Sequence, residues 1–361
     1  MWGVTASDSA LLRRLDDAVA DLSPGYFALV MATGIVSIGM RAAGMATAAG
    51  ILLIASICAY AVLIVLYAVR ALRHGHRMGA DARDPETGFA YFTAVAATGV
   101  LAVGLLETKA PTAAAILLGA AAAIWFVLGY VLPWQVLMSR DGLPILARTN
   151  GTWFIWSVAS QSVAVGMASL QPASPGAAGL VGILAVLTWS VGTVLYVGVA
   201  VLAVLRVVHY GLTPQQFEPT YWVAMGAMAI SVVAGASIVE MGRVPMVEAA
   251  SGLIGGTVVI FWCFAAWLVP LLVGGGLWRH AVHRIPLRYT PALWSMVFPL
   301  GMFAVASMKL GRVGRLPAIE AFGVAFLWVA IAAWAMVSAG LVVTLVRGAT
   351  GRIRQRRRGH P

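Results

Sequence analysis

The stretch LWSMVFPLGMFAVASMKLG, from Leu293 to Gly311, decides how the rest of the chain is interpreted. It is long and apolar enough to cross a membrane, since a transmembrane helix needs about 20 mostly apolar residues. It has no charged residue before Lys309, and a proline stands in its interior, directly after Phe298. Four other stretches of the chain resemble it. We predict that all five form helices around a central path.

The composition places the whole chain in a membrane. Of its 361 residues, 61% are hydrophobic and 10% are charged, whereas a soluble domain has about 25% charged residues. The net charge of +11 does not indicate nucleic-acid binding, because the cations lie in short connections between apolar runs. Two cysteines and six histidines form no disulfide framework or metal pattern. We expect no metal, no cofactor and no enzymatic activity.

The apolar runs predict an all-α polytopic protein, because lipid offers no partner to the backbone polar groups of other structures. We expect ten transmembrane helices at 24–41, 48–70, 88–106, 112–138, 151–170, 178–206, 219–240, 248–275, 290–309 and 318–346. Of the 24 lysines and arginines, 18 fall on the side of the termini and 6 on the other side. By the positive-inside rule, both termini are then cytoplasmic and the protein lies in the cell membrane.

Three regions follow from this assignment. Residues 1–22 form an N-terminal segment with helical spacing of leucines, either a helix on the membrane surface or a regulatory element. Residues 23–346 form the transmembrane domain. Residues 347–361 form a basic tail that is expected to bind anionic lipids. Nucleic-acid binding by the tail is an alternative that needs nothing from the rest of the chain.

An internal repeat relates the odd-numbered segments. The alignment places these dipeptides in register: Tyr26-Phe27, Tyr91-Phe92, Trp153-Phe154, Tyr221-Trp222 and Leu293-Trp294. The odd segments are rich in small residues, which let helices approach closely. The even segments are longer and carry more leucine, valine, isoleucine and tryptophan, as lipid-facing helices do. Each odd–even pair is therefore one hairpin, and we predict five hairpins in a pseudo-fivefold arrangement around a central pore.

The inner helices contain small and polar residues that are candidates for lining this pore. The candidates are Thr33, Gly34, Thr98, Gly99, Ser160, Gln161, Ser231 and Gly301. For any single Ser or Thr, the alternative is a hydrogen bond to the backbone of its own helix. No ionisable residue lies within the odd segments before their outer ends. Coupled carriers usually keep one in the membrane, so this pattern favours passive conduction or weak coupling.

Phe298 is the candidate pore gate. Five places after the first residue of each aligned pair stand Met31, Ala96, Val158, Gly226 and Phe298. Pro299 removes a backbone hydrogen bond and is expected to kink the helix beside this ring. A hydrophobic ring at a kink can block water and ions. The alternative is a phenylalanine that serves only packing.

Four cations at the outer ends of odd segments are candidates for an electropositive mouth that concentrates anions. They are Arg41, Lys109, Arg243 and Lys309. The alternative is that they only complement the dipoles at helix C-termini. Glu107 and Glu240 lie close by in the sequence and would cancel part of the field.

Two motifs resemble the tellurite-resistance/C4-dicarboxylate transporter family, which includes malate permeases, sulfite efflux pumps and the plant slow-type anion channels. They are PGYFALVMATGI at residues 24–35 and WSMVFPLG at residues 294–301. The resemblance covers about residues 22–346. It implies five hairpins in pseudo-fivefold order, a central pore and commonly a homotrimer. It also implies that the phenylalanine of the second motif, Phe298, occludes the pore.

Three functions remain open at this point. The first is a channel-like or uniport path for small inorganic or carboxylate anions. The second is a proton-coupled carrier of C4-dicarboxylates, or of sulfite or related oxyanions such as tellurite. A doubly charged substrate would normally need an arginine in its path, and none lies in mid-membrane. The third is a membrane enzyme or sensor, for which the chain shows no nucleophile–base pair, metal spacing or phosphate loop.

Overall fold

The computed structural model describes residues 16–138, 144–242 and 244–358, with side chains described up to residue 347. Ten long helices dominate these residues: α1 Phe27–Ala42, α2 Ala46–Arg83, α3 Phe92–Glu107, α4 Pro111–Met138, α5 Phe154–Leu170, α6 Ala178–Tyr210, α7 Val223–Val239, α8 Pro245–Leu277, α9 Trp294–Val313 and α10 Pro317–Arg358. All ten are long and apolar enough to span a membrane. The predicted all-α polytopic class is confirmed.

Each odd helix is preceded by a short 3₁₀ turn. The five turns are Pro24–Tyr26, Gly88–Tyr91, Gly151–Trp153, Pro219–Trp222 and Pro291–Leu293. Each turn ends within or directly beside the dipeptide used to align the repeat. Further short helices lie at Ile145–Arg148, Gln171–Ala173, Pro175–Ala177 and Trp278–Val282.

The odd helices lie inside and the even helices outside. In the most apolar window of each odd span, 72–89% of the residues are buried, against 17–28% in the even spans. Leu, Val, Ile and aromatic side chains cover the exposed faces of the even helices, as contact with lipid requires. The predicted division into inner and outer helices is therefore confirmed.

The inner helices close a ring. Their contacts run in the order α1, α3, α5, α7, α9 and back to α1, and each also packs against the outer helix of its own hairpin. The five 3₁₀ turns contact one another in the same order. This order is the one expected for five hairpins around an axis, while exact pseudo-fivefold symmetry stays a prediction.

Glycines of the repeat allow the close approach of neighbouring inner helices. A Cβ added at Gly34 would lie 2.6 Å from Cγ1 of Val100, and one at Gly99 would lie 3.0 Å from Oγ of Ser162. A Cβ at Gly301 would lie 2.9 Å from Cγ2 of Ile35, which closes the ring between α9 and α1. The three glycines hold equivalent places in their repeats, and so do the three residues that they contact.

The second glycine of the repeat serves a different contact. A Cβ at Gly39, Gly104 or Gly166 would clash with a buried leucine of the preceding hairpin's outer helix, at 2.7, 2.7 and 2.5 Å respectively. Outer helices therefore bridge two hairpins, because each packs on its own inner helix and on the next one around the ring. Small residues are needed at these places because lipid provides no hydrophobic force to drive helices together, so close packing must do it.

Two outer helices extend further than predicted. We expected α2 to end near residue 70, but it continues to Arg83 with non-helical torsion angles at His74 (φ −127°, ψ 31°). This extension receives the N-terminal segment, since Arg73 pairs with Asp16 at 3.0 Å and Arg77 pairs with Asp21 at 2.6 Å. Helix α10 likewise extends to Arg358 instead of ending near residue 346. Most of the predicted helix in residues 1–22 lies outside the described residues.

Candidate functional site: the axis of the inner ring

A cavity of about 40 Å³ lies on the axis of the ring and is lined by all five inner helices. The lining residues are Ile35, Ile38, Gly99, Val100, Val103, Ser162, Val165, Ile230, Val233, Met302 and Val305. A water molecule needs about 10–15 Å³ on this measure, so the cavity has room for a few water molecules or one small ion.

The lining residues occupy equivalent places in every repeat. Ile35, Val100, Ser162, Ile230 and Met302 each stand nine places after the first residue of the aligned dipeptide, and Ile38, Val103, Val165, Val233 and Val305 stand twelve places after it. Ten of the eleven lining residues therefore form two stacked layers, each with one residue from every inner helix, and Gly99 is the eleventh. The same face of each inner helix points toward the axis.

The chemistry of the cavity is apolar. Among the described residues that line it, Ser162 is the one with a polar side chain, and its hydroxyl donates to the carbonyl oxygen of Ala159 at 2.8 Å. None of these lining residues is ionisable. The wall therefore offers an ion no fixed charge in this conformation.

Phe298 belongs to the same face of α9 as the cavity wall. It precedes Met302 by four residues and Val305 by seven, a spacing that places side chains on one side of a helix. Its side chain is 1% exposed. The residues at the equivalent places, Met31, Ala96, Val158 and Gly226, are buried as well. All five residues at this level of the ring are therefore buried, while closure of the path by Phe298 stays a prediction.

Pro299 packs directly against the neighbouring inner helix. A Cβ at Gly226 of α7 would lie 2.7 Å from Cγ, 3.0 Å from Cβ and 3.2 Å from Cα of Pro299. A glycine is therefore required beside this proline ring. The backbone of α9 stays helical through Pro299, and the bend that we expected in its axis stays a prediction.

Hydroxyls predicted as pore-lining groups bind aromatic side chains of outer helices. Trp334 Nε1 of α10 donates to Thr33 at 3.1 Å, and Trp125 Nε1 of α4 donates to Ser160 at 2.7 Å. The hydroxyls of Tyr60 in α2 and Thr98 pair at 2.7 Å. In each case the aromatic residue comes from the preceding hairpin. These three hydroxyls are equivalent in the repeat and are absent from the lining of the axial cavity.

The remaining polar candidates are also hydrogen-bonded, one to a neighbouring helix and one within its own helix. Gln161 Nε2 donates to the carbonyl oxygen of Trp189 at 3.1 Å, and Gly192 provides the space for this side chain. The Ser231 hydroxyl donates to the carbonyl oxygen of Ala227 in its own helix at 2.7 Å. Of the eight predicted lining residues, Gly99 is the one that lines this cavity. A pore-lining role for the other seven stays a prediction.

Acidic residues pair with two of the four predicted mouth cations. Arg41 Nε lies 3.4 Å from Glu107 Oε2, and Lys309 Nζ contacts Glu240 Oε2. Lys109 is exposed in the connection after α3, with a left-handed backbone (φ 61°). Arg243 lies outside the described residues. A strongly electropositive mouth stays a prediction, and the observed pairing argues against two of its members.

Comparison with known proteins identifies the family. The sequence profile of the family described as voltage-dependent anion channel matches residues 21–342. The chain belongs to the voltage-dependent anion channel family. The resemblance noted from the Phe-Pro and PGYFALVMATGI motifs is thereby confirmed. The match covers all ten transmembrane helices except the end of α10.

Relatives of this voltage-dependent anion channel family protein carry general names. An uncharacterized membrane protein of Mycobacterium tuberculosis (strain H37Rv) is 52% identical over 140 residues, which is 39% of this chain and 71% of the relative. Two uncharacterized transporters of Methanocaldococcus jannaschii are 20% and 19% identical over 327 and 336 residues. These alignments cover 89% and 91% of this chain and 92% and 94% of the relatives. Family membership and the transporter names support anion transport as the class of function.

Proposed function

We propose that this protein conducts small anions along the axis of the inner ring and that Phe298 closes the path. One observation carries the proposal. All five inner helices contribute equivalent residues to one axial cavity, and Phe298 lies on the same face, one helical turn nearer to the side of the chain termini. A buried ring at this level leaves no aqueous route past it.

The lining supports passive movement of weakly hydrated anions. No described lining residue is ionisable, whereas proton-coupled carriers usually have an ionisable group inside the membrane. An apolar wall cannot replace the hydration shell of an ion with strong ligands. We therefore expect anions that lose water easily to pass best. Nitrate should pass more readily than chloride, and both should pass more readily than malate.

Current across planar bilayers tests the gate. Purified wild-type protein and the Phe298→Ala variant are compared with chloride, nitrate, sulfite and malate in turn. We expect the variant to raise the anion current on the order of tenfold or more, because it removes the ring that excludes water and ions.

Phe303→Ala is the matched control. Phe303 lies on the same helix and is also 1% exposed, but its ring packs against Trp262, Phe322 and Phe326 of the outer helices. The Phe303→Ala substitution removes the same type of side chain at a position away from the axis. We expect Phe303→Ala to lower stability without raising the current. Equal currents in the two alanine variants would contradict the role of Phe298.

If neither wild type nor Phe298→Ala carries an anion current while the protein is folded in the bilayer, the proposed pore is refuted. The proton-coupled carrier would then be the better hypothesis. Vesicles that take up a dicarboxylate or sulfite and acidify inside would support that carrier.

The membrane orientation and the assembly are proposals of the same kind. The excess of cations on the side of the termini supports a cell-membrane protein with cytoplasmic termini. Accessibility of single cysteines introduced on either side would test this. We also propose a homotrimer and contacts between residues 347–361 and anionic lipids. Cross-linking in native membranes and binding to vesicles with and without anionic lipid test these two statements.

A further inference from the structure

Charged residues lie at the end of the axis opposite the chain termini, at helical spacings from residues that line the cavity. Glu107 follows the cavity residue Val103 by four places, and Lys309 follows Val305 by four places. Glu240 follows Val233 by seven places. These spacings keep all three charged residues on the helix faces that point to the axis. They lie at the ends of the inner helices opposite the chain termini, which we call the far mouth of the path.

These charges are paired between neighbouring inner helices. Arg41 of α1 pairs with Glu107 of α3 at 3.4 Å, and Lys309 of α9 pairs with Glu240 at the end of α7. The four side chains are 27–47% exposed, so they reach water at the mouth. A third cation of this mouth, Arg312, binds Glu320 of α10 at 2.7 Å.

We propose that Glu107 and Glu240 are specificity-determining residues that limit anion entry by neutralising Arg41 and Lys309. This inference rests on the proposed anion pore. An unpaired cation beside a narrow mouth attracts anions and raises their local concentration. A cation paired with a carboxylate presents a dipole whose field falls off faster with distance. The carboxylates therefore set how strongly the mouth favours anions over cations.

A purely structural role makes a different prediction. Ion pairs that only hold α1 to α3 and α7 to α9 would affect stability, and their loss would not make the current depend on salt in a new way. A free charge at the mouth acts through a field that salt screens. Its range is about 10 Å at 0.1 M salt and about 3 Å at 1 M. Salt dependence of the current therefore separates the two roles.

The experiment uses Phe298→Ala as the conducting reference. Glu107→Gln and Glu240→Gln are each added to it, because glutamine keeps the shape and removes the charge. Glu248→Gln is the matched control, since Glu248 is exposed in the first turn of α8 on the same side of the membrane. Chloride currents and reversal potentials under a KCl gradient are measured at about 20 mM and at 1 M salt.

We expect each of the two glutamine variants to raise the chloride current by about two- to fivefold at low salt, because the freed cation concentrates anions. The ratio of anion to cation permeability should rise together with the chloride current. Both increases should disappear at 1 M salt. Lys309→Gln should lower the low-salt current. Glu248→Gln should match the reference under all conditions.

The outcomes separate the inference from the proposed function. If Phe298→Ala conducts but Glu107→Gln and Glu240→Gln behave like Glu248→Gln, the inference is overturned and the pore stands. A gain that persists unchanged at 1 M salt also overturns it, because the ion pairs then act through structure. If the reference itself does not conduct, the proposed function fails and the inference fails with it.

Discussion

Replacement of Gly226 by alanine tests whether α9 is seated against α7 beside the gate. The added Cβ would lie 2.7 Å from Cγ of Pro299, whereas ordinary contacts begin near 3.4 Å. The two helices must then separate by about 0.7 Å at this point. A change of ring pucker could move Cγ, but Cβ and Cα of Pro299, at 3.0 and 3.2 Å, would stay too close.

Overpacking of this kind costs about 1–3 kcal/mol. The displacement acts one residue from Phe298, so we expect Gly226→Ala to lower the unfolding midpoint in detergent. We also expect it to raise the anion current, though less than Phe298→Ala does. Gly119→Ala is the control, because a Cβ at this exposed place in α4 meets nothing within 4 Å. The free energy of unfolding of this control should rise by up to about 1 kcal/mol, because alanine loses less conformational entropy than glycine on folding.

A Gly226→Ala variant as stable as Gly119→Ala would show that α9 is not held against α7 in this way. Unchanged current together with lower stability would show that the contact supports the helix without controlling Phe298. Both measurements are therefore needed on the same preparations.

Two further predictions concern the frame around the ring. Trp125→Phe removes the donor to Ser160 (2.7 Å) and should cost about 0.6–1.7 kcal/mol in unfolding experiments, whereas Trp134→Phe on the lipid-facing side of α4 should cost less than half of that. Hydrogen bonds from Arg73 and His74 lower the pKa of the Asp16 carboxyl from its ordinary value of 3.8. This contact therefore stabilises the folded protein above pH 3.8, and the stabilisation is lost as the pH falls through the lowered pKa. The protection of amides near Asp16 from hydrogen exchange, relative to their intrinsic exchange rate at each pH, should therefore stay constant at pH 5–7 and fall below about pH 3.8; constant protection across the whole range would contradict the contact.

Much of the architecture could be predicted from the sequence because membrane insertion leaves few choices. The apolar runs specified ten helices, and the contrast between small and large apolar residues separated inner from outer helices. The repeat alignment also placed Phe298 level with Met31, Ala96, Val158 and Gly226, which are all buried in the inner ring. Errors arose at helix ends such as Arg83, where the chain leaves the membrane and apolar length no longer limits the helix.

The lining of the cavity could not be predicted in the same way. We expected Thr33, Thr98 and Ser160 toward the axis, but they form hydrogen bonds with aromatic side chains on outer helices. An inner helix is buried on all sides, so its sequence has no polar face that would reveal the direction of the axis. A buried hydroxyl without a partner is costly, and the nearest donors lie on the helices behind it.

The sequence by itself determined the membrane class, the ten helices, their pairing into hairpins and the family, because these depend on local hydropathy and on short motifs. Only the tertiary structure decided which face of each inner helix points to the axis. It also decided that Glu107 pairs with Arg41 and that Glu240 pairs with Lys309, partners that are more than 60 residues apart in the chain. The physical reason is that partner choice depends on which helices become neighbours in the closed ring.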